Sequence, residues 1–255
     1  MPATPAWPPS SAPRLFVDLA LSTGAAVPAT PDALHYLTRV LRLVEGDAVR
    51  LFDDRAGEWA ARLGPPSKRA LMFHVEHPIG PRESVPDLWL CAAPVRRQRW
   101  EWVVEKATEL GVARIVPVLT RRAVVDKVKP DRMRAIAIEA AEQCGRTALP
   151  VIADAVSLPD LLSAWPADRQ LLHADEAGGR VLATVARPGP AGILIGPEGG
   201  WADEERAAIG ARPAAAAITL GPRVLRAETA ALAAVVAWMA AAGDWSADRP
   251  TSPAP

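Results

Sequence analysis

The chain has 255 residues, half of them hydrophobic, which is enough for one large domain or two small ones with complete cores. Its formal net charge is zero and no apolar run reaches the length of a membrane-spanning helix, which argues against a membrane protein and against a uniformly basic nucleic-acid binder. The two cysteines, Cys91 and Cys144, lie far apart, which argues against a disulfide framework or a zinc site and is typical of a reducing cytoplasm.

The charges are unevenly distributed along the chain. Residues 94–134 carry a net charge of +6, whereas residues 135–255 carry −5. The basic segment either presents a surface that faces phosphates or is a solvated face that acidic neighbours balance in the fold. The proline-rich ends, residues 1–13 and 246–255, are predicted to be disordered tails, and the first of them lacks the apolar core of a signal peptide.

Residues 14–78 are predicted to form a small β-rich domain. Short apolar and alternating runs predict strands at 14–17, 48–52, 58–63 and 71–75. One short helix at 32–41 completes a pattern that is typical of a compact barrel. The glycines and prolines of residues 79–87 then indicate a linker.

From residue 88 onward the chain alternates strands and helices. Strands are predicted at 88–92, 115–119, 170–173, 193–195 and 218–220, and helices at 96–110, 130–144, 203–212 and 228–242. This alternation predicts an α/β domain at 88–245, with a mostly parallel sheet covered by helices. The last helix carries an apolar stripe that is either part of the core or a subunit interface, formed by Leu232, Val235, Val236 and Met239.

Two glycine-proline turns follow the last two predicted strands. The first glycine turn is Gly196-Pro197-Glu198-Gly199-Gly200-Trp201, and the second is Gly221-Pro222-Arg223-Val224-Leu225-Arg226. Open α/β sheets bind ligands at the carboxyl ends of their strands, where both turns are expected. Glycine allows the backbone to come close to a ligand, and proline stiffens the turn. The sequence therefore predicts a ligand site built from these two turns.

Five segments in order resemble one family of RNA-modifying enzymes. The segments HYLTRVLRLVEGD at 35–47, EKATELGV at 105–112, AAEQCGR at 140–146, GPEGG at 196–200 and LGPRVLRAETA at 220–230 are similar to motifs of the RsmE family of ribosomal RNA uridine N3-methyltransferases, which belongs to the SPOUT class. The resemblance implies a PUA-like RNA-binding β-barrel and a SPOUT-like domain whose deep trefoil knot holds S-adenosylmethionine. It also implies a homodimer without metal or membrane that acts on N3 of a uridine in small-subunit (16S) ribosomal RNA.

Methylation of uridine N3 sets clear chemical requirements. This nitrogen carries a proton on the Watson–Crick edge, so the base must leave any stack and its N3 anion must be favoured. Arg226 would stabilise the charge that develops on the uracil oxygens, or it pairs with Glu198 or Glu228 and fixes the loops. Glu198 would act as a base or hold the cofactor or Arg226, although an ordinary carboxylate is a weak base for an imide proton.

The other predicted site residues fall into two groups. The cofactor group would supply backbone approach points, an apolar slot and neighbouring polar groups, and it comprises His173, Ile195, Gly196, Gly199, Gly200, Leu220, Gly221, Leu225 and Thr229. The RNA group would contact RNA, chiefly its phosphates, and it comprises His35, Arg39, Arg42, Arg96, Arg97, Arg99, Arg121 and Arg122. Each residue also has a structural explanation as a turn glycine, core side chain, helix cap or solvated basic face.

Two alternative functions stay open at this point. One is a SPOUT methyltransferase with another RNA target, such as a ribose 2′-O atom. The other is an RNA-binding ribosome assembly factor without catalytic activity. A nucleotide phosphate enzyme is disfavoured because neither GxxxxGK[ST] nor GxGxxG occurs in the sequence.

Overall fold

The protein forms two compact units in a computed structural model that describes residues 7–65, 71–125 and 127–246. The first unit consists of the residues up to Ser84 together with Ala141–Ala148. The second consists of Val85–Ala140 and the residues from Leu149 onward. The boundary after Ser84 falls among the residues predicted as a linker, but no pattern in the sequence indicates that residues 141–148 group with the first unit.

A curled, five-stranded sheet forms the first unit. Its strands are β1 (Arg14–Phe16), β2 (Ala26–Pro28), β3 (Ala48–Phe52), β4 (Glu58–Leu63) and β5 (Met72–Gly80). The strand order is β1-β3-β4-β5-β2, and only the β1–β3 pair is parallel. Alternate side chains of these strands, including Val49, Leu51, Phe73 and Val75, are buried in the core of this unit.

The predicted helix at 32–41 is two short elements in the structure. Helix α1 (Pro31–His35) begins after Thr30, whose hydroxyl accepts a hydrogen bond from Ala33 N at 3.2 Å, and it continues into a π-helical turn at Tyr36–Val40. Leu37 is fully buried and anchors this turn. The chain leaves the turn through Arg42, whose φ of 58° is uncommon for a residue other than glycine.

Residues 141–148 are tied to the first unit by Arg14 and Glu142. The guanidinium of Arg14 donates to the carbonyl oxygens of Ala141 at 2.8 Å, Glu142 at 3.1 Å and Arg146 at 3.1 Å. The Glu142 carboxylate in turn accepts from Phe16 N at 2.9 Å. The first two bonds reach carbonyl groups in the last turn of the helix that ends at Cys144, and the third holds the chain just past that end. The segment AAEQCGR therefore has a structural task in this chain.

The predicted N-terminal tail is only partly described. Its residues from 7 onward lie against the first unit, where Trp7 Nε1 donates to Glu76 at 2.6 Å and the Arg62 guanidinium lies 3.7 Å from the Trp7 ring. Residues 1–6 and 247–255 of the predicted tails lie outside the described residues.

A parallel sheet covered by helices forms the second unit. Its strands are β6 (Leu88–Ala92), β7 (Arg114–Leu119), β8 (Val151–Ile152), β9 (Val156–Ser157), β10 (Gln170–Ala174), β11 (Arg180–Val181), β12 (Ala191–Ile195) and β13 (Ala215–Thr219). Its helices are α2 (Arg97–Glu109), α3 (Pro130–Cys144), α4 (Leu158–Ser163), α5 (Leu182–Val185), α6 (Asp203–Gly210) and α7 (Ala227–Ala242), followed by a 3₁₀ turn at Asp244–Ser246. The strand order is β11-β13-β10-β12-β6-β7-β8, with β9 beside β7 and every pair parallel.

Both faces of the sheet are buried at its central strands, which explains why these strands are continuously apolar. Ile193 and Ile195 of β12 point to one face, where they pack with residues of α2, α5 and α7. Leu194 points to the other face and packs with residues of α4 and α6. The sheet therefore has helices on both sides, as the alternating sequence pattern predicted. No helix in the described parts of the chain is long and apolar enough to cross a membrane.

The elements that the sequence did not predict are all short. They comprise β2, β8, β9, β11, α4 and α5, none longer than six residues. Runs of this length carry too little periodicity for assignment. The apolar stripe of α7 is divided in the structure, since Val235 and Met239 are fully buried in the core whereas Val236 is exposed.

Candidate functional site

Three loops meet at the carboxyl ends of three adjacent parallel strands. Asp175 and Glu176 follow β10, the first glycine turn follows β12, and the second glycine turn comes after β13. Together with neighbouring residues of β12, β13 and α7 they line a cavity of about 580 Å³. This volume suits a cofactor-sized molecule, and the location is the one at which open α/β sheets bind ligands.

The buried side chain of Trp201 holds the first glycine turn in place. Its side chain is 1% exposed, and its indole N–H donates to the Ala174 carbonyl oxygen at 2.9 Å. A Cβ atom on Gly196 would come within 2.9 Å of the Trp201 ring, so this position requires glycine for packing. The indole therefore connects the loop after β12 with the end of β10.

The other turn glycines have different structural reasons. A Cβ on Gly200, whose φ is 68°, would lie 2.5 Å from the Glu176 carboxylate, and one on Gly199 would lie 3.2 Å from Arg122 Cβ. Gly221 has a φ of 115°, and a Cβ there would meet no heavy atom within 4 Å. The backbone conformation alone therefore favours glycine at position 221, because there is room for a side chain there.

Glu205 organises the start of α6 beside the cavity. The Glu205 carboxylate reaches back and accepts from Ala202 N at 3.0 Å, which is the half of a capping box that does not need a polar side chain at position 202. Its other oxygen accepts from Arg121 N at 2.8 Å. One buried carboxylate thereby joins the loop after β7 to the first turn of α6.

Arg226 and Glu198 both line the cavity, but they do not form an ion pair with each other. Arg99 of α2 takes that place, with Nη1 2.6 Å from Glu198 Oε1 and Nε 3.5 Å from Glu228 Oε1. Arg226 is exposed and makes no ion pair with either carboxylate within the described parts of the chain. It also lines a second, more open cavity of about 480 Å³ with Gln98, Arg99, Trp102, Glu228 and Thr229. Its guanidinium is therefore available at the border of two cavities.

Most of the predicted cofactor group lies around the first cavity. Its lining includes Ile195, Gly196, Gly199, Gly200, Leu220, Gly221 and Leu225. Thr229 lines the second cavity instead. His173 is buried in β10, one residue before the lining begins. Burial, together with the charge of Arg206, lowers the pKa of His173, so its imidazole is neutral at pH 7.

Sequence reasoning missed the acidic residues that follow β10. Asp175 and Glu176 line the first cavity, and Arg206 of α6 pairs with both, at 3.3 Å from the Glu176 carboxylate. Their position directly after an apolar strand was the available signal, since the same rule located the two glycine turns.

The predicted RNA group is divided between the two units. In the first unit His35 is exposed at the end of α1, Arg39 in the π-helical turn and Arg42 just after it. In the second unit Arg96 and Arg97 are exposed at the start of α2, and Arg97 pairs with Glu101 at 3.0 Å. Arg121 pairs with Glu204, and Arg122 donates to the Gly199 carbonyl at 3.0 Å. Several of these arginines thus contact other residues of the protein next to the first cavity, and Arg99 forms ion pairs with two carboxylates.

Comparison with known proteins identifies the family. A family model of the RNA methyltransferase domain matches residues 81–239, and one of the RNA methyltransferase PUA domain matches residues 29–75. The chain is 31% identical over 251 residues to the ribosomal RNA small subunit methyltransferase E of Mycobacterium bovis, with 91% of this chain and 93% of that protein covered. It is 28% identical over 229 residues to the same enzyme of Rickettsia conorii, with 87% and 93% covered.

Solved structures give the same result. The crystal structure of a ribosomal RNA small subunit methyltransferase E from Neisseria gonorrhoeae bound to S-adenosyl methionine is 29% identical, with a TM-score of 0.83 and coverage of 92% of this chain and 99% of that one. A methyltransferase from Legionella pneumophila in complex with the same cofactor has a TM-score of 0.84 at 29% identity, with 91% and 99% covered. These matches confirm the predicted PUA-like and SPOUT-like fold. The chain therefore belongs to the ribosomal RNA small subunit methyltransferase E family.

Proposed function

We propose that this protein transfers a methyl group from S-adenosylmethionine to N3 of a uridine in small-subunit ribosomal RNA. The observation that carries the proposal is the meeting of both glycine turns, the end of β10 and the exposed Arg226 around one cavity. Family membership supports the cofactor and the class of RNA. The cytoplasm is the expected location, because ribosomal RNA is the proposed substrate.

The residues around the first cavity fit the chemistry of the cofactor. Ile195, Ile218, Leu220 and Leu225 give an apolar wall for an adenine ring. The turns expose backbone polar groups, and the partly exposed carboxylate of Glu176 offers an acceptor for a ribose or an amino group. Within the described parts of the chain no cluster of side chains suits a metal ion, and the proposal requires none. We also propose that the segment containing the two turns forms the deep trefoil knot.

In this proposal the protein residues act on the uracil base. S-adenosylmethionine, when bound, supplies an electrophilic methyl group. Arg226, which lines both cavities, donates hydrogen bonds to the uracil oxygens and stabilises the N3 anion, whose proton passes to solvent water before the methyl group is transferred. Glu198 holds a structural place, because its carboxylate is already engaged by Arg99 at 2.6 Å. Neutral His173 packs beneath the lining and contributes no charge.

Nucleoside analysis of ribosomal RNA from a deletion strain tests the proposal directly. The small-subunit RNA is expected to lose one 3-methyluridine, and the reintroduced gene restores it. Loss of a 2′-O-methyl nucleoside instead would favour the other SPOUT activity. A purified protein that shows no heat of S-adenosylmethionine binding in calorimetry would favour a non-catalytic assembly factor.

RNA binding is expected to depend on the basic residues after α1. Arg39→Ala combined with Arg42→Ala should weaken RNA binding, because both side chains are exposed where they can reach phosphates. The slope of log K against log salt should fall by about 0.7–0.9 for each phosphate that the variant no longer neutralises. Filter binding across a salt series measures this, with cofactor affinity expected to stay normal. The control is Arg55→Ala with Arg82→Ala, whose arginines pair with Asp18 and Asp54. Equal slopes in the wild type and the Arg39/Arg42 variant would assign these arginines to a solvated face.

The protein is expected to be a homodimer in solution. The class resemblance supports this, and Trp102 and Val236 are exposed apolar side chains on α2 and α7, two helices that pack in the same core cluster. Light scattering at micromolar concentration should give twice the chain mass. Trp102→Glu with Val236→Glu should give monomers, whereas Val151→Glu, a control on β8, should not. A monomer mass for the wild type would contradict the dimer.

A further inference from the structure

Arg99 joins two acidic residues from distant parts of the second unit. Its Nη1 contacts Glu198 of the first glycine turn at 2.6 Å, and its Nε lies 3.5 Å from Glu228 in the first turn of α7. Two different nitrogens of the planar guanidinium serve the two carboxylates, so one side chain engages both.

The ion pair between Arg99 and Glu228 affects Arg226 because Glu228 lies close to both arginines. Its side chain is buried, at 9% exposure for the residue, and its Oε2 has no hydrogen-bond partner in the described parts of the chain. A buried carboxylate without a counter-charge is strongly unfavourable. Arg226 is two residues away and lines the same second cavity. If Arg99 were removed, Arg226 would be the cation best placed to neutralise Glu228.

We propose that Arg99 is a positioning residue that occupies Glu198 and Glu228 and thereby leaves Arg226 free to face the uracil. The inference rests on the proposed function, because it assigns Arg99 an effect on catalysis through Arg226. It replaces the expectation from sequence that Arg99 contacts RNA phosphates. The two ion pairs of Arg99 are the physical reason for the change.

The test uses two substitutions. The first removes Arg99, and the second removes the negative charge of Glu228, which would otherwise attract Arg226. Arg99→Ala should lower kcat under saturating substrates by about 10- to 100-fold, as expected when a catalytic group is misplaced. Cofactor Kd and the salt dependence of RNA binding should stay unchanged. Adding Glu228→Gln should restore most of the lost kcat, because Arg226 then has no buried carboxylate to neutralise. Glu204→Gln is the matched control, since Glu204 pairs with Arg121, and it should restore nothing.

Each alternative gives a distinct result. A double variant as slow as Arg99→Ala, or Arg99→Ala with wild-type kcat, would overturn the inference. A reduced salt slope for Arg99→Ala would also overturn it and assign Arg99 to a phosphate. If Arg99→Ala does not fold, Arg99→Gln, which keeps a long polar side chain but no charge, gives the same comparison with and without Glu228→Gln. A wild-type protein that does not methylate uridine N3 would contradict the proposed function itself, independently of these variants.

Discussion

Arg226→Ala is expected to lower kcat and kcat/KM together, by on the order of 100-fold. The guanidinium lies at the border of two cavities without a carboxylate partner in the described parts of the chain, so its removal takes away a donor and little structure. If it stabilises charge on the uracil oxygens, its loss affects the transition state more than cofactor binding. Single-turnover rates with saturating cofactor and RNA measure this effect.

The pH dependence of this variant separates catalysis from structural support. More N3 anion forms without help as the pH rises, so the gap between Arg226→Ala and the wild type should narrow at high pH. Arg226→Lys should restore activity only in part, because an ammonium lacks the planar fork. If Arg226 only supports the loops, cofactor affinity or thermal stability should fall first and high pH should give no rescue. Wild-type single-turnover rates in the alanine variant would remove Arg226 from the mechanism.

Gly221→Val is expected to abolish S-adenosylmethionine binding. The φ of 115° at Gly221 is in a region that side-chain-bearing residues rarely adopt, and a β-branched residue there is strongly disfavoured. Such backbone strain costs on the order of 1–3 kcal/mol, and relieving it would move the second glycine turn out of the cavity wall. Isothermal titration calorimetry with the cofactor measures the loss.

Gly210→Val provides the matched control for this substitution. Gly210 ends α6, lies outside the cavity lining and has no positive φ, and a Cβ there also meets no heavy atom within 4 Å. The control should therefore bind the cofactor normally. The first unit should stay folded in both variants, as judged by RNA binding. Near-normal cofactor affinity in a folded Gly221→Val protein would show that this turn conformation is not required.

The sequence was most informative where one strong physical signal acted alone. The strands at β6 and β12 and the helix at 130–144 were predicted from apolar runs and helical spacing, and the structure has them within a few residues. The glycine turns were located in the same way, because a glycine-proline pair ended each apolar strand. Both turns line the same cavity, as the rule for open α/β sheets predicted.

The ion-pair network of the site could not be predicted from sequence. Whether Arg226 or Arg99 neutralises Glu198 depends on where α2 packs against the turn, and no local pattern encodes that contact. The same holds for the pairing of Arg206 with Asp175 and Glu176, which joins α6 to the end of β10. Such contacts arise from tertiary packing, so arginines that the sequence assigns to RNA can instead have protein partners.

The first unit cannot form all of its hydrogen bonds until residues 141–146 have been synthesised, because Arg14 donates to carbonyl groups of that segment. Its strands end at residue 80, but the carbonyl groups that Arg14 binds belong to residues 141–146, which the ribosome makes only after residues 85–140. Until that segment emerges, the Arg14 guanidinium and the Phe16 amide lack these acceptors. A gene fragment ending at residue 84 would encode the same incomplete unit. The first unit made from such a fragment is therefore expected to lose these bonds, so a cut at the linker leaves it incomplete.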